Sequence, residues 1–196
     1  ATRKAISELG KNSYIAMCTG FWYEWSLGIA PAFGIDFNNR TATLYDEGET
    51  QICTTTWPQI GRAVAALLSL PIKSEANEAA CLENFRNKLV YINSFNISQK
   101  DMLKSALCVT GTKESNWTIT KEPAQERYSN GIKEIQEGKR VGFAKMMYTR
   151  VFYSDRCGDF EHKGTLNRML DLPKEDIDEA TMVAMERSKA AFGSSH

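Results

Sequence analysis

The sequence lacks the short motifs that identify the commonest enzyme sites. No G-x-G-x-x-G, G-x-x-x-x-G-K-[ST], G-x-S-x-G or H-E-x-x-H pattern occurs in its 196 residues. Histidine is scarce as well, with two in the chain. His162, in "CGDFEHKGT", is the one away from the C-terminus, and Asp159 and Glu161 could orient its imidazole. Adjacent loop residues seldom converge on one point, so a surface or capping role is favoured over catalysis.

The sequence also lacks a dominant charge of one sign and a long apolar run. Lys and Arg together number 24, as do Asp and Glu, which gives a formal net charge of zero. That balance does not favour nucleic acid or an anionic membrane as a partner. No apolar stretch approaches the roughly 20 residues of a transmembrane helix, and the first residues lack the apolar core of a secretory signal. We therefore expect a cytoplasmic protein with no nucleic acid and no membrane as partner.

Cysteine does not occur in metal-binding or disulfide-forming patterns. The five cysteines are widely scattered, odd in number, and contain no C-x-x-C pair. We therefore expect free thiols and no metal site. Cys18, Cys53 and Cys108 lie in apolar or β-branched surroundings, where cysteine acts as a small hydrophobe rather than as a reactive thiol.

What the sequence does contain is a succession of helical and strand patterns typical of an α/β protein. Residues 1–9 place apolar side chains on one helical face, Gly10 ends that helix, and residues 14–18 read as a buried strand. Residues 41–45 and 51–54 are β-branched runs on either side of the acidic turn "DEGE". Two such runs around a glycine-containing turn predict a β-hairpin.

A helix with a clear start follows the predicted hairpin. Thr56 can cap it, and Pro58 sits in the first turn, where a missing N–H costs nothing. The spacing predicts one apolar face, formed by Ile60, Val64, Leu67 and Leu68.

The composition changes after Pro71, where a polar connector leads to a strand at residues 89–93. Further patterns predict a helix from the Ser98 cap to Gly111, a strand in "NWTITKE", and helices at 122–136, 141–153 and 173–191. We divide the chain into residues 1–71 (helix, strand, hairpin, helix), residues 72–192 (a helix-rich α/β region) and residues 193–196 (a tag remnant or tail).

The segment "TGFWYEW" is the densest functional signal. Thr19 and Gly20 end a buried strand, and Phe21, Trp22, Tyr23 and Trp25 crowd the loop expected beyond it. Ligands of open α/β sheets bind just past the carboxyl ends of strands, which makes this segment a candidate site. The alternative is that the rings fill a junction between domains, and both interpretations can hold together.

The order of these elements resembles the NmrA-like, or isoflavone reductase-like, branch of the atypical short-chain dehydrogenases. Four segments carry the resemblance and span most of residues 3–121: "RKAISELGKNSYIAMCTGFWYEW", "ATLYDEGETQICTTT", "WPQIGRAVAALLSLP" and "VYINSFNISQKDMLKSALCVTG". Many members carry an Asp where Thr56 and Trp57 stand here. The resemblance implies the C-terminal part of a Rossmann-type NAD(P)-binding fold plus a smaller, helix-rich substrate domain.

The resemblance also implies NADPH as the cofactor of the parent family. The family's glycine-rich loop and catalytic lysine precede the helix that contains Arg3, so we expect the N-terminal glycine-loop half to be missing and assign no catalytic or cofactor-binding residue. Lys4 is out of register with the lysine by more than a turn. In proteins of this family the segment after the corresponding strand borders the nicotinamide and the substrate. The resemblance therefore implies that Gly20, Phe21 and Trp22 bind the substrate. The other wall could come from Tyr148, Phe152 and Tyr153, although core packing is the stronger expectation for these three.

The predicted function is the substrate-side portion of an NADPH-dependent reductase acting on a small, aromatic molecule, inactive and weak in NADPH binding on its own. One alternative is an NmrA-like regulator that senses the dinucleotide, and another is an interaction module without catalysis. The strand at residues 13–18 would have an open edge without its neighbours. We therefore expect it to meet either a missing N-terminal half or a second copy of the chain.

Overall fold

A computed structural model describes residues 2–193, and the side-chain surroundings of residues 2–190. The helices are α1 (Thr2–Leu9), α2 (Tyr23–Leu27), α3 (Ala30–Phe33), α4 (Trp57–Leu68), α5 (Gln99–Thr110), α6 (Ala124–Gln136), α7 (Val141–Thr149) and α8 (Ile177–Gly193). The strands are β1 (Ile15–Cys18), β2 (Phe21–Trp22), β3 (Ile35–Asp36), β4 (Thr41–Tyr45), β5 (Ile52–Thr55), β6 (Lys88–Tyr91), β7 (Phe95–Ile97) and β8 (Thr118–Glu122). The predicted tail at 193–196 falls outside the described residues except for Gly193, which ends α8.

The strands of the described residues form small sheets with long-range pairing. β1 pairs in parallel with β6. β5 lies between β2, to which it is parallel, and β7, to which it is antiparallel. β4 lies between β3, to which it is antiparallel, and β8, to which it is parallel. Each sheet therefore joins a strand from before residue 71 to one from after it, whereas the division at residue 71 stays a prediction.

The predicted hairpin is wrong, because its two strands lie in different sheets. The turn between them is tied to β8 and α6 instead. The Asp46 backbone N–H donates to the Glu122 carbonyl at 2.9 Å, and the Asp46 carboxylate accepts the Ala124 N–H at 3.0 Å. β4 then pairs with β8 over five residues. An alternating pattern indicates a strand, but it does not identify the strand's partner.

The predicted helix starts and stops are largely confirmed. Thr56 Oγ1 accepts the Gln59 N–H at 3.2 Å and caps α4. Ser98 and Asp101 form a reciprocal capping box at α5, which ends at Gly111 with a φ of 61°. The C-terminal helix begins at Ile177 rather than at 173, because the Asp176 carboxylate accepts the N–H groups of the next helical turn.

The predicted buried face of α4 is partly wrong. Ala63 and Leu67 are buried, whereas Val64 and Leu68 are 41% and 70% exposed. Ala63 and Leu67 pack in one buried cluster with Val90 and Ile92, so the buried face of α4 is rotated toward Ala63. Cys108 is likewise exposed on α5, in contrast to the prediction, while Cys53 is buried and all five thiols are free.

Two clusters of buried side chains hold the elements together. The larger one surrounds α2, α5, α7 and α8 and includes Tyr23, Phe33, Tyr45 and Phe152. The smaller one joins α4 to β1 and β6 through Leu67, Val90 and Ile92. No helix within residues 2–193 is long and apolar enough to cross a bilayer.

Candidate functional site

Gly20 places the aromatic segment against β5. Its φ is 64°, and a Cβ at this position would lie 2.1 Å from the Cys53 carbonyl oxygen. A side chain is therefore excluded both by backbone conformation and by space. The chain then enters β2, where the Thr54 hydroxyl donates to the Phe21 carbonyl at 2.6 Å.

The aromatic segment is a short strand followed by a helix, and the loop expected there is wrong. β2 comprises Phe21 and Trp22, and α2 begins at Tyr23. The reason is long-range: β5 pairs with β2, and α2 packs against α8, where the Tyr23 hydroxyl is 2.7 Å from Thr181 Oγ1. Burial raises the pKa of the Tyr23 phenol well above its usual range, so Tyr23 stays protonated.

Phe21 stacks on Tyr148 of α7, with ring centres 4.3 Å apart and planes at 26°. Tyr148 belongs to the larger buried cluster, so it packs in the core as expected while it also lies beside Phe21. Phe152 also packs in the core, against Phe33 and Tyr45. Tyr153 lies beside Tyr128, in a different cavity.

A cavity of about 210 Å³ opens beside this stack, and we call it the aromatic pocket. Trp22 and Trp25 are exposed at its rim, whereas Ser26 and Tyr148 are buried. Its lining consists of Gly20, Phe21, Trp22, Trp25, Ser26, Met147 and Tyr148. All three predicted substrate-binding residues, Gly20, Phe21 and Trp22, therefore line one cavity; that they bind substrate stays a prediction.

A second cavity of about 220 Å³ is also lined by Gly20 and Phe21, together with Cys53 and Cys157. The Cys53 Sγ accepts the Phe160 N–H at 3.4 Å. Burial raises the pKa of the Cys53 thiol to about 11, so the thiol is protonated at neutral pH. A nucleophilic role for Cys53 is not supported.

Arg187 contacts both Trp57 and Trp25, a tryptophan at the rim of the aromatic pocket. The Arg187 guanidinium lies 4.6 Å from the Trp25 ring centre and 4.7 Å from that of Trp57, within cation–π range. The Trp22 and Trp57 rings also form an edge-to-face pair, with centres 6.2 Å apart. The side chains of α2, α4 and α8 thus hold the two rim tryptophans in place.

A larger cavity, of about 500 Å³, lies between the start of α4 and residues 173–183. Two of its charged groups bind each other, since Glu175 accepts the Arg62 guanidinium at 2.8 Å, and Glu175 also accepts the Thr56 hydroxyl at 2.7 Å. Glu24, which also borders it, is 3% exposed and accepts the Trp57 N–H at 3.2 Å. Burial raises the pKa of Glu24. We favour the aromatic pocket, because Glu24 and Glu175 of the larger cavity hold α4 through Thr56, Trp57 and Arg62.

His162 lies on an exposed short turn, Glu161–Lys163. The neighbouring carboxylates have other partners: Glu161 accepts the amides of Asn93 and Asn96, and Asp159 accepts that of Asn96. Within residues 2–193, no group of three His, Cys, Asp or Glu side chains is placed to hold a metal ion.

Sequence reasoning missed three side chains of this region. Ser26 and Met147 line the aromatic pocket, and Arg187 lies 162 residues beyond Trp25 in the chain (187 − 25). A serine on a short helix and an arginine near the C-terminus have no local pattern that indicates such roles.

Comparisons with known proteins agree with this architecture. No protein-family model matches the chain. An Aspergillus flavus protein described as Oxidoreductase aprR is 25% identical over 167 residues, which cover 85% of this chain and 51% of that protein. The chain thus spans about half the length of the curated relative that it matches.

Solved structures with the same fold include reductases and a nucleoside-diphosphate-sugar epimerase. An isoflavone reductase matches with a TM-score of 0.63 and 15% identity, over 92% of this chain and 55% of that chain. The NADPH-dependent quinone oxidoreductase QOR2 of Escherichia coli, complexed with NADPH, matches with a TM-score of 0.58 and 16% identity, over 92% of this chain and 56% of that one. The fold is α/β and Rossmann-like, and the isoflavone reductase-like resemblance is confirmed at the level of the fold.

Proposed function

We propose that this chain is the substrate-side portion of an NADPH-dependent reductase that acts on a small aromatic molecule. The observation that carries the proposal is the aromatic pocket, which lies directly after β1 and β2 in a fold shared with NADPH-dependent reductases. Ligands of such folds bind at the carboxyl ends of strands. Phe21 and Trp22 supply the aromatic contacts, and Gly20 lets the backbone follow β5 closely.

The role of Gly20, Phe21 and Trp22 in this proposal is to bind and orient the substrate. Aromatic walls favour a planar ring through stacking and through removal of apolar surface from water. Trp22 and Trp25 are 49% and 41% exposed, so a ring seated between them and Tyr148 would gain burial on both faces. We assign no catalytic residue within the chain.

The proposal includes NADPH as the cofactor of the whole reductase and weak NADPH binding by this chain alone. Micromolar affinity corresponds to about 8 kcal/mol, much of which comes from backbone N–H groups around the phosphates. These 196 residues contain no glycine-rich phosphate loop. NADPH at a hundredfold excess over its dissociation constant would stabilise the chain by about 2.7 kcal/mol. We expect no such rise in the melting temperature, and a clear rise would contradict this part of the proposal.

The proposal also covers how the chain associates. The α1 helix has no buried side chain, and within the described residues β1 pairs with β6 on one edge. We propose that the free edge and α1 meet the cofactor-binding region or a second copy, and light scattering of the isolated chain should then show an oligomer.

The decisive experiment uses the longest protein that the gene encodes. NADPH-dependent reduction of an aromatic substrate, followed by loss of NADPH absorbance, supports the reductase. Tight dinucleotide binding without turnover would support the NmrA-like sensor instead. A protein that neither binds nor oxidises NADPH would support the interaction module.

A further inference from the structure

Helix α4 is apolar on the side that faces solvent as well as on the side that faces the sheet. Apart from Arg62, its exposed residues are all apolar or glycine, and we call them the outer face of α4: Trp57, Pro58, Gly61, Val64, Ala65 and Leu68. Leu68 is 70% exposed. A helix that is apolar all round is normally buried, so the outer face calls for a partner.

The outer face of α4 carries no charge. Arg62 is the one charged residue of the helix, and its guanidinium is bonded to the Glu175 carboxylate at 2.8 Å. Helix α6 has a similar length but exposes charged and polar side chains, among them Glu126, Ser129 and Lys133. A partner that covers the outer face of α4 therefore leaves no charge without a counter-ion.

The sheet beneath α4 indicates which segment does not cover the outer face. α4 packs through Ala63 and Leu67 on one side of the β1–β6 sheet. In the proposed function the cofactor-binding region joins the free edge of β1, and a sheet grows within its own plane. Helices that accompany such strands lie in the layer of α4 or on the opposite side of the sheet. The far side of α4 is thus left for a separate molecule.

The spacing of the outer face matches it to a second copy of itself. Trp57, Gly61, Val64 and Leu68 recur at intervals of four, three and four residues, which places them in one stripe along the helix. When two such helices lie antiparallel about a two-fold axis between residues 62 and 63, Trp57 faces Leu68 of the second copy. Gly61 then faces Val64 of the second copy. Nothing lies within 4 Å of a Cβ added at Gly61, so the valine has room there.

We propose that the outer face of α4 is a homodimer interface, in which two antiparallel α4 helices pack about a two-fold axis. This contact is distinct from an association through β1 and α1, and it does not depend on the reductase activity. α4 has 12 residues and is about 18 Å long. The interface therefore belongs to the class below about 1,200 Å² of total buried surface, whose members associate weakly and reversibly.

The dimer contact lies close to the aromatic pocket. The ring centres of Trp22 and Trp25, at the rim of that pocket, are each 6.2 Å from the ring centre of Trp57. Trp57 is in turn the residue that faces Leu68 of the second copy. The second copy therefore extends the apolar surface beside the rim.

Sedimentation velocity of the full 196-residue chain over a wide range of concentrations tests the proposal. The weight-average sedimentation coefficient should rise with concentration from the value of a monomer to that of a dimer. A chain that stays monomeric at every concentration would overturn the proposal.

The test variant is Leu68→Glu, which places a carboxylate against Trp57 of the second copy. We expect about tenfold or more weaker dimerisation, because the two-fold axis buries two carboxylates without a cation. Val64→Glu is a second variant with the same expected direction, since Val64 lies near the axis and is 41% exposed. Circular dichroism should show that both variants fold, because both positions are exposed in the single chain.

The matched control is Leu9→Glu, because Leu9 is 64% exposed and lies on α1 rather than on α4. It should leave the dimer unchanged. Folded Leu68→Glu and Val64→Glu chains that dimerise as well as the unmodified chain would overturn the proposal. A loss of dimerisation in Leu9→Glu as large as that in Leu68→Glu would also overturn it, since the contact would then be made by α1.

The longest protein that the gene encodes separates the second copy from an intramolecular occupant. It should dimerise as well, and Leu68→Glu should weaken that dimer. If it stays monomeric while the 196-residue chain dimerises, residues of its own chain cover the outer face of α4, which overturns the proposal. Failure of NADPH turnover with dimerisation intact would overturn the reductase proposal alone.

Discussion

The side chains of the segment from Gly20 to Leu27 fall into two groups, one buried in the core and the other exposed beside a cavity. Tyr23 and Leu27 are fully buried, and Tyr23 packs against Phe95 and bonds to Thr181 of α8. Trp22 and Trp25 are about half exposed and border the aromatic pocket. One short stretch therefore anchors the core with one set of side chains and presents a ligand surface with the other. Stability and binding should be separable by substitution within it.

The largest effect should come from the core side. Tyr23→Ala removes a fully buried ring and its hydrogen bond, so we expect a loss of about 3–5 kcal/mol in the free energy of unfolding. Urea denaturation measures the loss. A change below about 1 kcal/mol would show that α2 is not anchored as described.

Gly20→Ala should be the next most damaging change. Alanine at a positive φ costs roughly 1–2 kcal/mol, and its Cβ would also lie 2.1 Å from the Cys53 carbonyl oxygen. Gly111 is a matched control, since its φ is 61° and nothing lies within 4 Å of the added Cβ. Urea denaturation should show Gly20→Ala to be roughly twice as costly as Gly111→Ala. Equal costs would argue against the close contact with β5.

Tyr23→Phe isolates the hydrogen bond from the packing. We expect a loss of about 1 kcal/mol, because the ring stays and Thr181 keeps its contact with Ser105 Oγ at 2.8 Å. Urea denaturation again measures it. A loss as large as that of Tyr23→Ala would mean that the hydroxyl, rather than the ring, fixes α2 to α8.

The smallest effect on the free energy of unfolding should come from the change of the Glu24 charge with pH. Burial raises its pKa above the ordinary value of 4.5, so the folded chain holds this proton more tightly than the unfolded chain. The contribution of Glu24 to stability is then greatest below that ordinary value and is lost as the pH rises through the raised pKa. Glu24→Gln should gain stability relative to the unmodified chain over that interval. Unfolding measured from about pH 4 to about pH 8 tests this, and a constant difference contradicts it.

The local features of the fold could be predicted from the sequence. The capped helix α5 is an example, because Ser98, Asp101 and Gly111 act on backbone groups within a few residues. The supposed hairpin shows the limit: the strand patterns of β4 and β5 are local, whereas their partners β8, β2 and β7 are distant in sequence. The rotated face of α4 has the same cause, since Ala63 packs in a cluster with the distant residues Val90 and Ile92, whereas Val64 stays exposed.

The residues of the candidate site likewise divide into those that could be predicted from local sequence and those that could not. Gly20, Phe21 and Trp22 follow a recognisable strand, so their place at its carboxyl end could be predicted. Ser26 and Arg187 could not, because their roles depend on which distant helices pack against α2. For Tyr153 the sequence favoured core packing over a place in the pocket wall, and the structure puts it after the short helix Arg150–Phe152, beside Tyr128.

The most direct test of the account measures two quantities on Trp22→Ala. Trp22 is 49% exposed and lines the aromatic pocket, so its removal should weaken binding of 2-naphthol, a small aromatic probe, about tenfold or more. The free energy of unfolding should change by less than about 1 kcal/mol. Unchanged 2-naphthol affinity together with a large loss of stability would contradict the account, because Trp22 would then belong to the core and not to a binding site.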